Sequence, residues 1–355
     1  MKFALISGII CTACILINST YAQDASKPWK IVTQWDNDLL TGTDRGYTNG
    51  ARVALVRDLE PDQEAHNYLQ RALYKASGAG SDQFWGDKRF SEDSLRFSWG
   101  IGLTQLMYTP DDPDALTAPT GERPYAGWLG IEFSLNVSDI DSVGSVTLSI
   151  GTTGKNSYGE EAQDWVHTNI SDSPIYQGWD SQVPGEATLN LHLDRKQQIH
   201  ALNLTHDWPI EFDGYYEWGA AIGNFTTNAY LGALIRAGYN LPYTYATPRV
   251  QLGSYGQALF SPENEDADRF SFYGFFGFRG TAVLHDITLD GPIFRDSDSE
   301  VDSKALVGEL IAGVATRIYG ADISLSQTTR SDEFNGQTGG NHRFGSVMFL
   351  VDLPF

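Results

Sequence analysis

Between Tyr125 and Val137 the chain alternates with a period of two residues. Tyr125, Gly127, Leu129, Ile131, Phe133, Leu135 and Val137 fall on one face, and Ala126, Trp128, Gly130, Glu132, Ser134 and Asn136 on the other. That period belongs to a β-strand, whose successive side chains point to opposite faces. A strand buried in a soluble core would not turn Glu132 and Asn136 inward. A strand with lipid on one face and a wet lumen on the other would. Leu306, Leu310, Val314 and Ile318 oppose Glu309, Gly313 and Arg317 in the same way, and Phe270, Phe272, Phe276 and Phe278 mark another such strand.

Period-two segments recur near 30–38, 45–57, 94–109, 123–138, 142–153, 187–200, 203–223, 228–240, 268–286, 303–318, 320–330 and 344–355. The expected fold is therefore all-β: a transmembrane antiparallel β-barrel of about twelve strands, an even number as bacterial barrels require. The last strand places Val347, Phe349, Val351, Leu353 and Phe355 on one face, and its terminal aromatic resembles the assembly signal of outer-membrane barrels. No later stretch reaches the ~18 apolar residues of a spanning helix, and mean hydropathy is −0.29. The 17 Tyr, 18 Phe, 9 Trp and 36 Gly then make sense as aromatic girdles and small lumen residues.

The N-terminus reads as an export signal. Lys2 precedes an apolar run from Phe3 to Ile17, and Thr20-Tyr21-Ala22 offers a small-x-small cleavage site. Residues 1–22 are thus expected to be a signal peptide and 23–355 a single outer-membrane barrel domain. Both cysteines, Cys11 and Cys14, lie in the signal segment. Disulfides, thiolate catalysis and cysteine-ligated zinc are excluded for the remainder. With 24 − 1 = 23 basic and 45 acidic residues, the mature net charge is −22, which argues against nucleic acid as a partner.

If the mature N-terminus is periplasmic, alternate connections face outward. Residues 154–186 then form a long extracellular loop, and Gly159 to His167 reads as a short helix within it. The segment 58–93 breaks the rule of short periplasmic turns. Three polar segments gather at the outward end: Asp36-Asn37-Asp38, Asp44 to Gly50, and Gly159 to His167. Strands one and two are neighbours, so Asn37, Asp38 and Thr48 should sit together at the rim. Oxygen donors of this kind suit a hard cation such as calcium. Gln163 and His167, four apart, share a helix face, and an imidazole there could take a proton from water. The same residues also read as an ordinary turn, an ordinary strand start and a solvated loop histidine.

The run Asp36-Asn37-Asp38-Leu39-Leu40-Thr41-Gly42-Thr43-Asp44-Arg45-Gly46-Tyr47-Thr48-Asn49-Gly50 resembles the opening signature of the outer-membrane lipid A 3′-O-deacylase family. Met107-Tyr108-Thr109-Pro110, Arg123-Pro124-Tyr125-Ala126-Gly127-Trp128, Gln163 to His167 followed by Gly178-Trp179, and Gly223-Asn224 extend the resemblance over most of the mature chain. It implies a twelve-stranded barrel with its site between the outer rim and a loop helix. It also implies calcium-dependent hydrolysis of the 3′-linked acyloxyacyl ester of lipid A. Asn37, Asp38 and Thr48 match site residues of the first two strands, with Asn37 and Asp38 as candidate calcium ligands. His167 matches the catalytic histidine, and Gln163 and Tyr176 match substrate-binding positions. Two departures stand out. Ser173 occupies the position of a glutamate about six residues after the histidine, with Asp172 the nearest acid. Residues 111–122 contain no lysine where one is expected.

Other chemistry is poorly supported. Asp296 to Asp302 lacks the glycine and the terminal glutamate of a calcium loop. No histidine has serine at +2, as a barrel phospholipase needs, and no Gly-x-Ser-x-Gly elbow occurs. The competing readings are a non-catalytic or porin-like barrel and a barrel acting on another lipid. Inward-pointing Trp128, Glu132, Glu309 and Arg317 argue for a narrow or blocked lumen.

Overall fold

A computed structural model describes residues 29–38, 46–58, 96–138, 142–171, 173–202, 209–242, 244, 246–255, 270–297, 301–319, 321–337 and 340–353. The proposed signal segment, Leu39 to Arg45, most of the 58–93 segment, Asp172 and Phe355 lie outside the described residues.

Twelve antiparallel strands close into one barrel: β1 (Lys30–Asn37), β2 (Gly46–Asp58), β3 (Arg96–Thr109), β4 (Ala126–Ser138), β5 (Ser142–Thr153), β6 (Ala187–Gln198), β7 (Glu211–Gly223), β8 (Thr226–Tyr239), β9 (Phe270–Asp286), β10 (Leu306–Ile318), β11 (Ala321–Arg330) and β12 (His342–Asp352). Every strand pairs with its sequence neighbours, and β1 pairs with β12 from Lys30↔Asp352 to Asn37↔Gly345, so no edge is left to hydrogen-bond elsewhere. The main departure from the expected boundaries is β7, which starts at Glu211 rather than near 203. Pro209 has no N–H to give to a ladder and stands just ahead of the strand.

The two faces separate as the alternation requires. Leu103, Ile131, Phe133, Leu148, Leu189, Ile235, Phe276, Phe278, Leu310 and Leu325 are exposed on the outer wall, forming the apolar belt of a membrane-spanning barrel. Among the described residues no helix is long and apolar enough to cross a membrane. The inner face is polar and charged. Arg279 pairs with Glu217 at 2.6 Å, Arg330 with Glu309 at 2.9 Å, and Arg317 with Asp322 at 2.6 Å; Arg236 pairs with Asp213 and Arg249 with Glu309.

The lumen is filled by residues 244 and 246–255 of the β8–β9 connection, which enters from the end where β1 begins (the proximal end). Gln34 of β1 donates to the carbonyls of Thr247 and Arg249, and Ser326 of β11 to that of Pro248. On the opposite wall, Thr147 donates to the Gly253 carbonyl, and Lys196 of β6 to Thr247. At the centre, fully buried Arg52 meets fully buried Glu132 at 2.7 Å. Thr104 donates to the same carboxylate at 2.6 Å, as does the Gly253 N–H at 2.8 Å, while Arg52 also donates to Gln34 and to the Gln251 carbonyl. Above this plug, towards the end where β1 finishes (the distal end), a cleft opens to solvent between Arg249, Gln251, Tyr108, Lys304 and Glu333. The expected blockage of the lumen is thus real, but a returning segment makes it, not side chains of the wall alone.

Removing one member of a buried pair strands the other charge, which typically costs about 3–5 kcal/mol. Glu132→Ala should therefore lower the urea or thermal midpoint of the refolded barrel markedly in a heat-modifiability gel. Lys155→Ala, which breaks a solvent-exposed pair with Asp180, should leave the midpoint unchanged.

Candidate active site

On the outer wall at the distal rim, Asn37, Asn49, Met107 and Gly127 are successive cross-strand partners of β1 to β4. Their sequence neighbours Asp36, Leu106 and Trp128 face the lumen and are buried there. Asn49 ties the row together: its Oδ1 accepts from Trp35 Nε1 at 2.6 Å and from Asn37 Nδ2 at 3.4 Å. The β2–β3 register slips between Tyr47 and Asn49, leaving Thr48 as the extra residue of a bulge. Bulges re-aim a side chain, and here the Thr48 hydroxyl meets that of Thr109 at 2.7 Å. Asp38, just beyond β1, is fully buried.

The β5–β6 loop folds down over this row. After a short turn at Gly154–Ser157 comes helix α1 (Gly159–Val166), continued by a π-helical turn at His167–Ser171. Gln105 on the outer face of β3 donates to the carbonyls of Ser157 and Tyr158 at 2.7 and 3.1 Å. Gly127 and Gly159 pass so closely that a Cβ on Gly127 would stand 3.5 Å from the Gly159 Cα and 3.1 Å from the Ser157 Cβ. Glycine at both positions is what lets the loop lie against the wall. Met107, Tyr125, Tyr176 and Trp179 then form an apolar cluster joining wall to loop, with Ala162 of α1 packed on it.

This cluster positions the polar residues. Trp179 Nε1 donates to Gln163 Oε1 at 2.7 Å. Among the described residues the buried Gln163 Nε2 has no hydrogen-bond partner, so the amide's donor end is unspent there. His167 is buried, with its ring edge-on to Tyr176 at 5.9 Å. Its Nδ1 lies 2.6 Å from the Pro174 carbonyl. A carbonyl only accepts, so Nδ1 carries the proton and Nε2 is the acceptor of the neutral ring. Burial raises the Asp164 carboxyl above the usual carboxylate range, opposed by the pull of nearby His167 and helped by Glu161.

All six residues singled out in the sequence lie at the distal end. Asn37, Asp38 and Thr48 belong to the wall; Gln163, His167 and Tyr176 belong to the loop. The contacts joining the two groups run through Met107, Tyr125 and Trp179. Thr109, Asn49, Trp179 and the Pro174 carbonyl had no assigned role from sequence. The first three lie in or beside the quoted motifs, whereas a backbone carbonyl leaves no sequence signal. Asn37, Asp38 and Thr48 offer oxygen ligands, with one carboxylate, Asp38, among them. Among the described residues no three His, Cys, Asp or Glu converge as a metal cluster. Such a set fits a hard cation held weakly and does not fit zinc.

Known proteins share this arrangement at the level of fold. The β-barrel of LpxR from Salmonella typhimurium superposes with a TM-score of 0.66 at 18% identity, covering 91% of this chain and 99% of that one. The β domain of the Bordetella autotransporter BrkA follows at TM-score 0.42 and 9% identity, covering 92% and 99%. No curated protein sequence matches significantly. The family model described as outer membrane protein LpxR matches residues 9–353, nearly the whole chain, and the chain belongs to that family.

Proposed function

We infer that this barrel is a lipid A 3′-O-deacylase, hydrolysing the ester that links the acyloxyacyl group to the 3′-oxygen of the sugar. Family membership and the motifs of the first strands support the reading. The observation that carries it is buried His167, whose Nδ1 is anchored on the Pro174 carbonyl so that Nε2 is the basic nitrogen of the ring, in a loop seated on the barrel wall. The distal end is the extracellular one in this reading, so the cleft stands at the level of the outer leaflet.

The chemistry follows from these residues. His167 Nε2 takes a proton from water, and the resulting hydroxide adds to the ester carbonyl carbon. As the tetrahedral centre collapses, the bond from the acyl carbon to the sugar oxygen breaks. The imidazolium returns its proton to the departing oxygen, giving a free acyloxy fatty acid and a 3′-hydroxyl. The Gln163 Nε2–H donates to substrate or water beside the imidazole, the Thr48 hydroxyl orients the same groups from the wall, and Tyr176 walls the cleft. Asn37 and Asp38 would hold calcium, which when bound would supply positive charge near the developing oxyanion. A second reading, the same hydrolysis on a lipid with a different head group, is favoured by the lysine-free 111–122 loop and by Ser173.

His167→Ala should cost at least ~10²-fold in turnover, the usual worth of a positioned base, in a barrel that still shows heat-modifiable mobility. His192→Ala serves as control. That histidine lies inside the lumen, bonded to Ser149 at 3.0 Å, so its loss should matter little to turnover. Near-normal deacylation by His167→Ala would overturn the mechanism. Mass spectrometry of lipid A and of glycerophospholipids exposed to the protein separates the two substrate readings. Chelation should abolish turnover and calcium should restore it better than magnesium; activity indifferent to chelator would remove the metal from the scheme.

A further inference from the structure

Helix α1 has three faces, although a helix lying against a protein wall needs only two. Gly159, Gln163 and His167, spaced by four, face the barrel and are buried. Glu160 and Asp164, also four apart, form a second face with exposed Glu161 beside it. Tyr158 at the left-handed N-cap and Trp165 form the third; they are 58% and 51% exposed, and Ile170 on the following turn is exposed too. Large aromatic residues left open in this way are costly in water and favoured where apolar and polar media meet.

The surroundings identify the medium. Gln105, whose amide holds the Ser157 and Tyr158 carbonyls, sits on the outer face of β3 two residues from Leu103, which is 53% exposed in the apolar belt. Ile131 and Phe133 continue that belt on β4, below the Gly127 contact. The loop is thus seated on the lipid-facing surface itself. Around the helix, Trp165 lies nearly opposite buried Gln163, so the aromatic side projects away from the wall, while Glu160 and Asp164 occupy one flank and Glu161 stands between the two. With the loop seated on the belt, the outward side meets lipid and the acidic flank water.

We propose that α1 is an interfacial helix whose Tyr158, Trp165 and Ile170 dip into the lipid layer, holding the loop at the depth of the membrane's polar–apolar boundary. The occupant of this surface is bilayer lipid, continuous with the lipid around the belt. The proposal concerns where the loop lies and stands whichever ester the site cleaves.

With Cys11 and Cys14 replaced by serine, single nitroxide labels can be placed through Trp165→Cys and Glu160→Cys. The barrels are reconstituted in vesicles of phosphatidylethanolamine and phosphatidylglycerol, with folding checked by gel mobility. The label at 165 should collide preferentially with oxygen and the label at 160 with a water-soluble nickel chelate. Equal nickel access at both positions would overturn the proposal. In a second arm, Trp165→Ser should lower turnover of bilayer-embedded lipid A by about tenfold, in line with the loss of one large buried apolar side chain, and leave turnover in detergent micelles unchanged. Equal losses in both media would overturn the anchoring role. If the unaltered protein cleaves no lipid A at all, the deacylase reading fails and the label measurement still decides the placement of the helix.

Discussion

The guanidinium of Arg52 and the carboxylate of Glu132 meet in the middle of the lumen, and neither reaches solvent. A charge in that position is tolerated only if every remaining donor and acceptor around it is satisfied. Thr104, Gln34 and the backbone of the 246–255 segment do so. Replacing such a pair with apolar residues is often neutral for stability. What the pair supplies here is specificity. The Gly253 N–H and the Gln251 carbonyl have partners only when the returning segment occupies one register, so the plug and the wall define each other's position.

That register reaches the outer surface through a single strand. In β1, Asp36 faces inward and Asn37 outward. The Asp36 carboxylate accepts from the Val250 N–H at 3.1 Å and from the Tyr47 hydroxyl at 3.1 Å. Asn37 and Tyr47 flank the two residues, Asp38 and Thr48, that contribute most to the rim of the proposed site. Pinning the inner neighbours narrows the positions the outer ones can take. Preorganisation of this kind matters for any hydrolytic site, because a misplacement of about 1 Å can cost 10²-fold in rate.

The strands were legible because alternation is a property of side chains alone. Glu132 and Asn136 opposite Ile131 and Phe133 announced a polar interior, which around Glu132 is filled by chain and not wet as expected, and the twelve segments expected from the alternation all appear as strands. The plug was not legible. Residues 241–255 have no period, and those described are held mainly through their own carbonyls and N–H groups, which every residue type possesses. Local geometry hid part of the site for the same reason. The bulge that turns Thr48 towards Thr109 is a backbone register slip, and the bond that sets the His167 tautomer ends on a carbonyl. Tyr176 could be placed in the cleft by the resemblance, whereas the role of Trp179 and the packing of both with Met107 and Tyr125 across the wall needed the fold.

A barrel whose bore is crossed by its own chain has an electrical property that an open barrel of similar strand number lacks. The plug bonds to Gln34, Arg52, Glu132, Thr147, Lys196 and Ser326 around the circumference, so ions meet chain where a pore would offer water. Chain bonded all round the circumference in this way opposes the passage of ions along the bore. A deacylase working at the proposed outer-wall site has no use for a bore, and with the bore stopped its abundance could rise without opening holes in the membrane that carries it.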